Sequence, residues 1–151
     1  MKLVPLLRFN VDVAAPIEVG AHIAGNRSVA NITGGSFDGD RLNGTVLNSG
    51  ADWILVDATG MGKVDVRIVL ETSDGAKIYV SYQGYLGFNE TFGQAIATGG
   101  STEFGDLHLL TQLRFETGDE RYQWLNSALG VGEGRVVPGG IEYQVYELSH
   151  G

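Results

Sequence analysis

Thr33 to Ala76 reads TGGSFDGDRLNGTVLNSGADWILVDATGMGKVDVRIVLETSDGA. Glycines interrupt it at short intervals, and the runs between them are strand-like. Residues 63–72 (KVDVRIVLET) alternate most cleanly: Val64, Val66, Ile68 and Leu70 share one face, and Asp65, Arg67, Val69 and Glu71 the other. A period of two over ten residues specifies a β-strand with unlike faces. Ser73-Asp74-Gly75 is hairpin chemistry, and 76–85 (AKIYVSYQGY) returns as its partner. Residues 41–47 and 51–57 make a second expected hairpin, joined through Asn48-Ser49-Gly50. Gly34-Gly35 and Asp38-Gly39 read as turns, since glycine adopts positive φ at little cost.

The same pattern continues in both directions. In 3–13, Leu3, Pro5, Leu7, Phe9, Val11 and Val13 fall on one face; Pro5 removes a ladder donor, which predicts an edge or a bulge. Residues 17–23 read as a strand with a bulge at Gly20, and 27–32 extend it or form another. Residues 86–105, rich in Gly and Thr, read as a long loop or lid with one short helical turn. A strand over 106–116 puts Leu107, Leu109, Thr111, Leu113 and Phe115 on one side and His108 on the other. The one convincing helix is predicted at 119–129, capped by Thr117 or Asp119 and ended by Gly130. Strands over 131–137 and 141–148 close the chain. Eight to ten strands with hairpin-length turns predict a mainly all-β protein, an antiparallel barrel or sandwich.

Composition bounds the function. A chain of 151 residues makes one domain, 1–151, with a substantial core. The net charge of −8 and the scattered basic residues argue against nucleic acid and anionic membrane as partners. With no cysteine there is no disulfide, thiolate metal site or cysteine nucleophile. The N-terminus lacks a spanning run or a cleavage signal, so a cytoplasmic setting is expected. Three dispersed histidines predict no zinc site, and nothing calls for a cofactor. Gly60-Met61-Gly62-Lys63 has the wrong spacing for a phosphate loop, and no serine-hydrolase elbow is present.

The charged groups of the central strands have two readings. Asp65, Arg67 and Glu71 form either a solvated outer face with weak ion pairs or the polar lining of a pocket. In a pocket, the flat fork of Arg67 would suit a carboxylate, phenolate or enolate oxygen. Asp52 is either a turn residue beside a core Trp53 or a buried proton-transfer group, and on a strand the two must face opposite ways unless a bulge intervenes. His108 is the side chain best tuned to neutral pH, although a lone histidine more often serves the surface. Tyr82 and Thr111 complete the expected ligand-binding set with Trp53, Glu71 and His108.

The pieces GGSFDG (34–39), LNG (42–44), GADW (50–53), DVR (65–67), ETSDGAKIYV (71–80), RFETGDERYQWLN (114–126) and YQVYEL (143–148) together resemble the bacterial family known as domain of unknown function 3237. The resemblance implies a lipocalin-like barrel with a helix in its C-terminal half, a homo-oligomer with a dimer as the simplest form, and no defined activity. Its shared pattern includes Asp52, Trp53, Asp65, Arg67, Glu71 and Thr111. Where relatives carry an aromatic residue near 108 and a basic one near 110, this chain has His108 and Leu110. The functional expectation is a cofactor-independent lyase, isomerase or cyclase acting on a small apolar or aromatic oxygenated compound. Asp52 would move the proton and Arg67 would stabilise the oxyanion. The alternatives are a non-catalytic carrier or sensor of a small hydrophobic or anionic ligand, and a barrel filled by its own side chains.

Overall fold

The computed structural model describes residues 1–151. Ten strands run β1 (Lys2–Val13), β2 (Ile17–His22), β3 (Gly25–Asp38), β4 (Gly44–Val46), β5 (Ala51–Val56), β6 (Met61–Thr72), β7 (Lys77–Gly87), β8 (Leu109–Glu116), β9 (Leu129–Val137) and β10 (Gly140–Ser149). Helix α1 (Glu90–Thr98) lies between β7 and β8, and a 3-10 helix, Glu120–Ser127, between β8 and β9. All strand pairs are antiparallel, in the order β1-β10-β9-β8-β7-β6-β4/β5-β3, and pairing of β3 with β1 closes the barrel. β2 folds back on the start of β3 as an added edge, with the register break at Gly20 that the sequence predicts.

Alternation decides what faces inward. On β6, Val64, Val66, Ile68 and Leu70 are buried, while Lys63 and Arg67 are exposed. The register carries this parity around the wall, with Val66 opposite Tyr82, Ile68 opposite Val80 and Leu70 opposite Ile78. β1 shifts register between Pro5 and Leu7, so both Leu6 and Leu7 are buried.

Two expected turns are not turns. Gly34 and Gly35 lie inside β3. A side chain at Gly35 would sit 2.0 Å from the Asn10 carbonyl oxygen, so glycine permits the close backbone approach where the barrel shuts. The predicted hairpin between 41–47 and 51–57 is absent. Instead β4 and β5 run in the same direction, both between β3 and β6. From Val46 to Ala51 the chain advances five residues while β3 advances four (Gly35 to Asn31) and β6 three (Leu70 to Arg67). Leu47–Gly50 is therefore a bulge in one broken strand. It pivots on Gly50, whose φ of 84° places its absent Cβ position against the Arg67 carbonyl.

The helices also differ from expectation. The C-terminal segment is 3-10 rather than α; Asp119 caps it by accepting the Arg121 N–H at 2.9 Å, and Tyr122 breaks its helical geometry. It closes the far end of the barrel: Leu125 is fully buried, and the Tyr122 hydroxyl donates to Asp74 in the β6–β7 turn at 2.9 Å. Burying one leucine this way contributes about 2 kcal/mol. The α-helix falls in the stretch expected to be loop. Asn89 caps α1, accepting the Phe92 N–H at 2.8 Å, and Gly99 ends it in the left-handed region at φ 66°. α1 lies across the other mouth, so the barrel has a packed end and a hollow end.

Candidate functional site

The hollow end holds a cavity of about 510 Å³ that opens to solvent on one side. A wider depression of about 660 Å³ beside Pro5–Asn10 and Ser36–Asp40 lies on the outer wall and opens to solvent. The cavity at the hollow end is walled by aliphatic side chains, among them Ile32, Ile54, Val66, Leu109 and Val136, and partly roofed by Phe92, Ala95 and Ile96 of α1. Glu18, Asn26 and Ser28 line it at the β2–β3 side. No Lys, Arg or His lines it.

Asp52 points into this cavity. It follows Ala51 at the start of β5 and shares inward parity with Ile54 and Val56. The β5–β6 ladder pairs Ala51 with Arg67 and Asp52 with Val66, then skips to Leu55 with Lys63. Within that gap the Asp65 N–H donates to Asp52 Oδ1 at 3.1 Å. The carboxylate thus serves a backbone donor that the split ladder leaves over. Burial raises the Asp52 pKa to about 6; the Asp65 N–H pulls it down and the Asp65 charge pushes it up, both less strongly.

The floor beneath is aromatic. Tyr82 and Tyr143 meet edge to face at 5.2 Å, Phe9 stacks on Tyr143 at 5.0 Å, and Phe9 meets Tyr82 edge-on at 5.6 Å. Burial pushes both phenols far above their ordinary range, and the nearby Asp52 charge adds to the effect. Tyr143 reaches the middle of the barrel because β9 offers no side chains there. Gly130, Gly132 and Gly134 face inward, and a Cβ on Gly134 would lie 2.4 Å from Leu109 Cδ2 and 2.9 Å from Tyr143 Cε1.

Of the residues expected from sequence, Asp52 and Tyr82 line the cavity. Arg67 does not. It sits between inward Val66 and Ile68, so its guanidinium points outward, where it stacks over the Trp53 ring at 4.2 Å. That contact accounts for the cation without an enclosed oxyanion, and the oxyanion-stabilising role expected of Arg67 is withdrawn. Trp53 is outside by the same parity, and its carbonyl accepts from Arg27 Nη1 at 2.7 Å. Glu71 is also outside, paired with Lys77 at 2.9 Å, and His108 is exposed. None of these three faces the cavity. Thr111 does point inward and is buried, but it is not part of the cavity wall, and its Oγ1 has no partner.

Sequence reasoning missed Tyr143, Phe92 and the three glycines of β9. The signal for the last was present: LGVGEGRVV places glycine at every second position, which marks a strand face without side chains. No group of three or more His, Asp or Glu residues could hold a metal ion.

Fold and cavity define a small closed β-barrel with a part-buried carboxylate, Asp52, facing a largely apolar lumen. The chain belongs to the family "Protein of unknown function (DUF3237)", whose family model matches residues 1–148. A UPF0311 protein of Rhodopseudomonas palustris (strain TIE-1) is 31% identical over 121 residues, covering 80% of this chain and 77% of the relative. A β-barrel-like protein of Acinetobacter baumannii AYE superposes with a TM-score of 0.84 at 37% identity, covering 98% of this chain and 96% of the other. A protein described as an enzyme from Penicillium herquei shares the fold, with a TM-score of 0.74 at 21% identity over 98% of this chain and 94% of its own. No helix here is long and apolar enough to cross a membrane.

Proposed function

We propose that this protein is a cofactor-independent enzyme, an isomerase, lyase or cyclase, that moves a proton within a small apolar or aromatic oxygenated compound held in the lumen. Asp52 is the proton-transfer group. One observation carries this reading: the Asp52 carboxylate, poised near pH 6, faces a mostly apolar cavity of about 510 Å³ with no cation lining it, while the other lining carboxylate, Glu18, is solvent-exposed on β2. A base of that pKa is largely ionised at neutral pH yet basic enough to accept a proton. The Penicillium herquei protein's description as an enzyme is compatible with catalysis on this fold but, at its distance, speaks for the fold alone.

A carrier is the second reading, favoured by the predominance of apolar lining over polar groups. The two separate on one variant. With a panel of bicyclic ketones and phenols screened by thermal shift and followed for turnover by NMR, Asp52→Asn is expected to keep ligand affinity within about threefold and lose turnover by roughly 10²–10⁴. Arg67→Ala, on the outer wall, is expected to match wild type in both. Ligand binding without turnover in the wild type supports the carrier, and lost turnover in Arg67→Ala with intact Asp52 contradicts the proposed site.

A further inference from the structure

With Arg67 outside the barrel, a proton abstraction in the lumen needs another group to receive the negative charge that develops on the substrate. The inward face offers one arrangement. Asp52, Val66 and Tyr82 stand side by side in one row across β5, β6 and β7. Adjacent strands lie about 4.8 Å apart, so the Asp52 and Tyr82 backbones are roughly 10 Å from each other. Tyr143 approaches from the opposite wall, over the bare Gly134, until its ring is 5.2 Å from that of Tyr82. All three residues line the same cavity. The two rings meet edge to face, and no hydrogen bond anchors either hydroxyl to the wall. A buried tyrosine hydroxyl ordinarily finds a protein partner. Here at least one donor of the pair is free to turn toward a guest. Phenols that resist ionisation also stay donors across the working pH range.

We propose that Tyr82 and Tyr143 form a two-hydroxyl cradle for the oxygen of a neutral, planar ketone or phenol, and that the lumen refuses carboxylates and phosphates. This rests on the reading of Asp52 as the base. In the step, the Asp52 carboxylate takes a proton from the carbon beside a carbonyl. The C–H electron pair becomes the C=C bond of an enolate, and the carbonyl π pair moves to the oxygen held by the two hydroxyls. Asp52 then returns the proton to the same or a conjugated carbon, so no oxidant or reductant is consumed. Anionic ligands are excluded by the lining: it holds two carboxylates, Asp52 and Glu18, and no Lys, Arg or His. A ligand carboxylate would enter beside a like charge with nothing to compensate its lost hydration.

The test uses three probes with one ring system: 2-naphthol, 2-naphthoate, and exchange of the acidic C1 protons of 2-tetralone in D₂O, followed by proton NMR. At pH 8 the wild type is expected to bind 2-naphthol at least tenfold more tightly than 2-naphthoate. Tyr82→Phe and Tyr143→Phe should each weaken 2-naphthol about five- to tenfold, the loss of one hydrogen bond. Each should slow 2-tetralone exchange by roughly 10²–10³. Asp52→Asn should abolish exchange and still bind 2-naphthol. Equal affinity for 2-naphthoate, or phenylalanine variants that match wild type in binding and exchange, would overturn the cradle. Exchange that survives Asp52→Asn while the phenylalanine variants still lose 2-naphthol would remove the base and leave the cradle standing. Should Tyr143→Phe melt early, Tyr82→Phe and the wild-type 2-naphthol to 2-naphthoate ratio decide the question.

Discussion

Asp52 is ionisable in a place where burial opposes its charge, and that opposition must appear in stability. Its folded-state pKa of about 6 is raised above the ordinary 3.8. The native state therefore binds the proton more tightly than the unfolded chain does. The stabilising contribution is complete below the unfolded value and is lost as pH rises through about 6. The loss is on the order of 3 kcal/mol at pH 8. Asp52→Asn mimics the protonated acid and retains an oxygen for the Asp65 N–H. Its stability relative to wild type is expected to grow from near zero at pH 4 to that amount at pH 8, measured by urea melts at each pH. A difference that stays flat with pH would mean the carboxylate is solvated. Turnover that needs the carboxylate should rise through the same window. At this scale the sequence was half legible. It named Asp52 and Tyr82, but it could not separate an outward Arg67 from an inward one. Both readings of β6 obey the same alternation, and only the barrel's curvature determines which face is inside.

The elements differ in how far local chemistry specified them. β6 and β7 follow from alternation and a glycine turn, and they form as read. β4 and β5 do not, because Asn48-Ser49-Gly50 is equally good chemistry for a hairpin and for a bulge. The outcome rests on which strands are free to pair on either side, which is information held far away in β3 and β6. α1 reads from sequence only as one short helical turn in a loop because Gly93 and its threonines lower helix propensity. Its stripe of Phe92, Ala95, Ile96 and Gly99, at helical spacing, was nonetheless present, and all four line the lumen. That face has a use only over a hollow barrel end. Asn89→Ala removes the cap, a loss of about 1 kcal/mol. Amide exchange in 90–98 is expected to quicken severalfold while β6–β8 keep wild-type protection. Unchanged exchange in α1 would show that the cap is dispensable.

Across the whole molecule, the pairing of β1 with β3 joins the first strand to the middle of the chain and makes every barrel strand depend on two neighbours. Such a ring is expected to unfold as one unit. Trp53 reports from the outer wall of β5 and Trp124 from the 3-10 helix at the packed end. Fluorescence and far-ultraviolet circular dichroism should therefore give coincident denaturation midpoints. An earlier fluorescence transition would show that one end opens alone. Hydrophobic periodicity and turn residues, both local, determined by themselves that this chain is an antiparallel β protein with charged groups along its central strands. Which of those groups are enclosed was decided only by tertiary structure: closing a sheet gives each face a different solvent, so a charge turned outward keeps its hydration while one turned toward the lumen loses much of it.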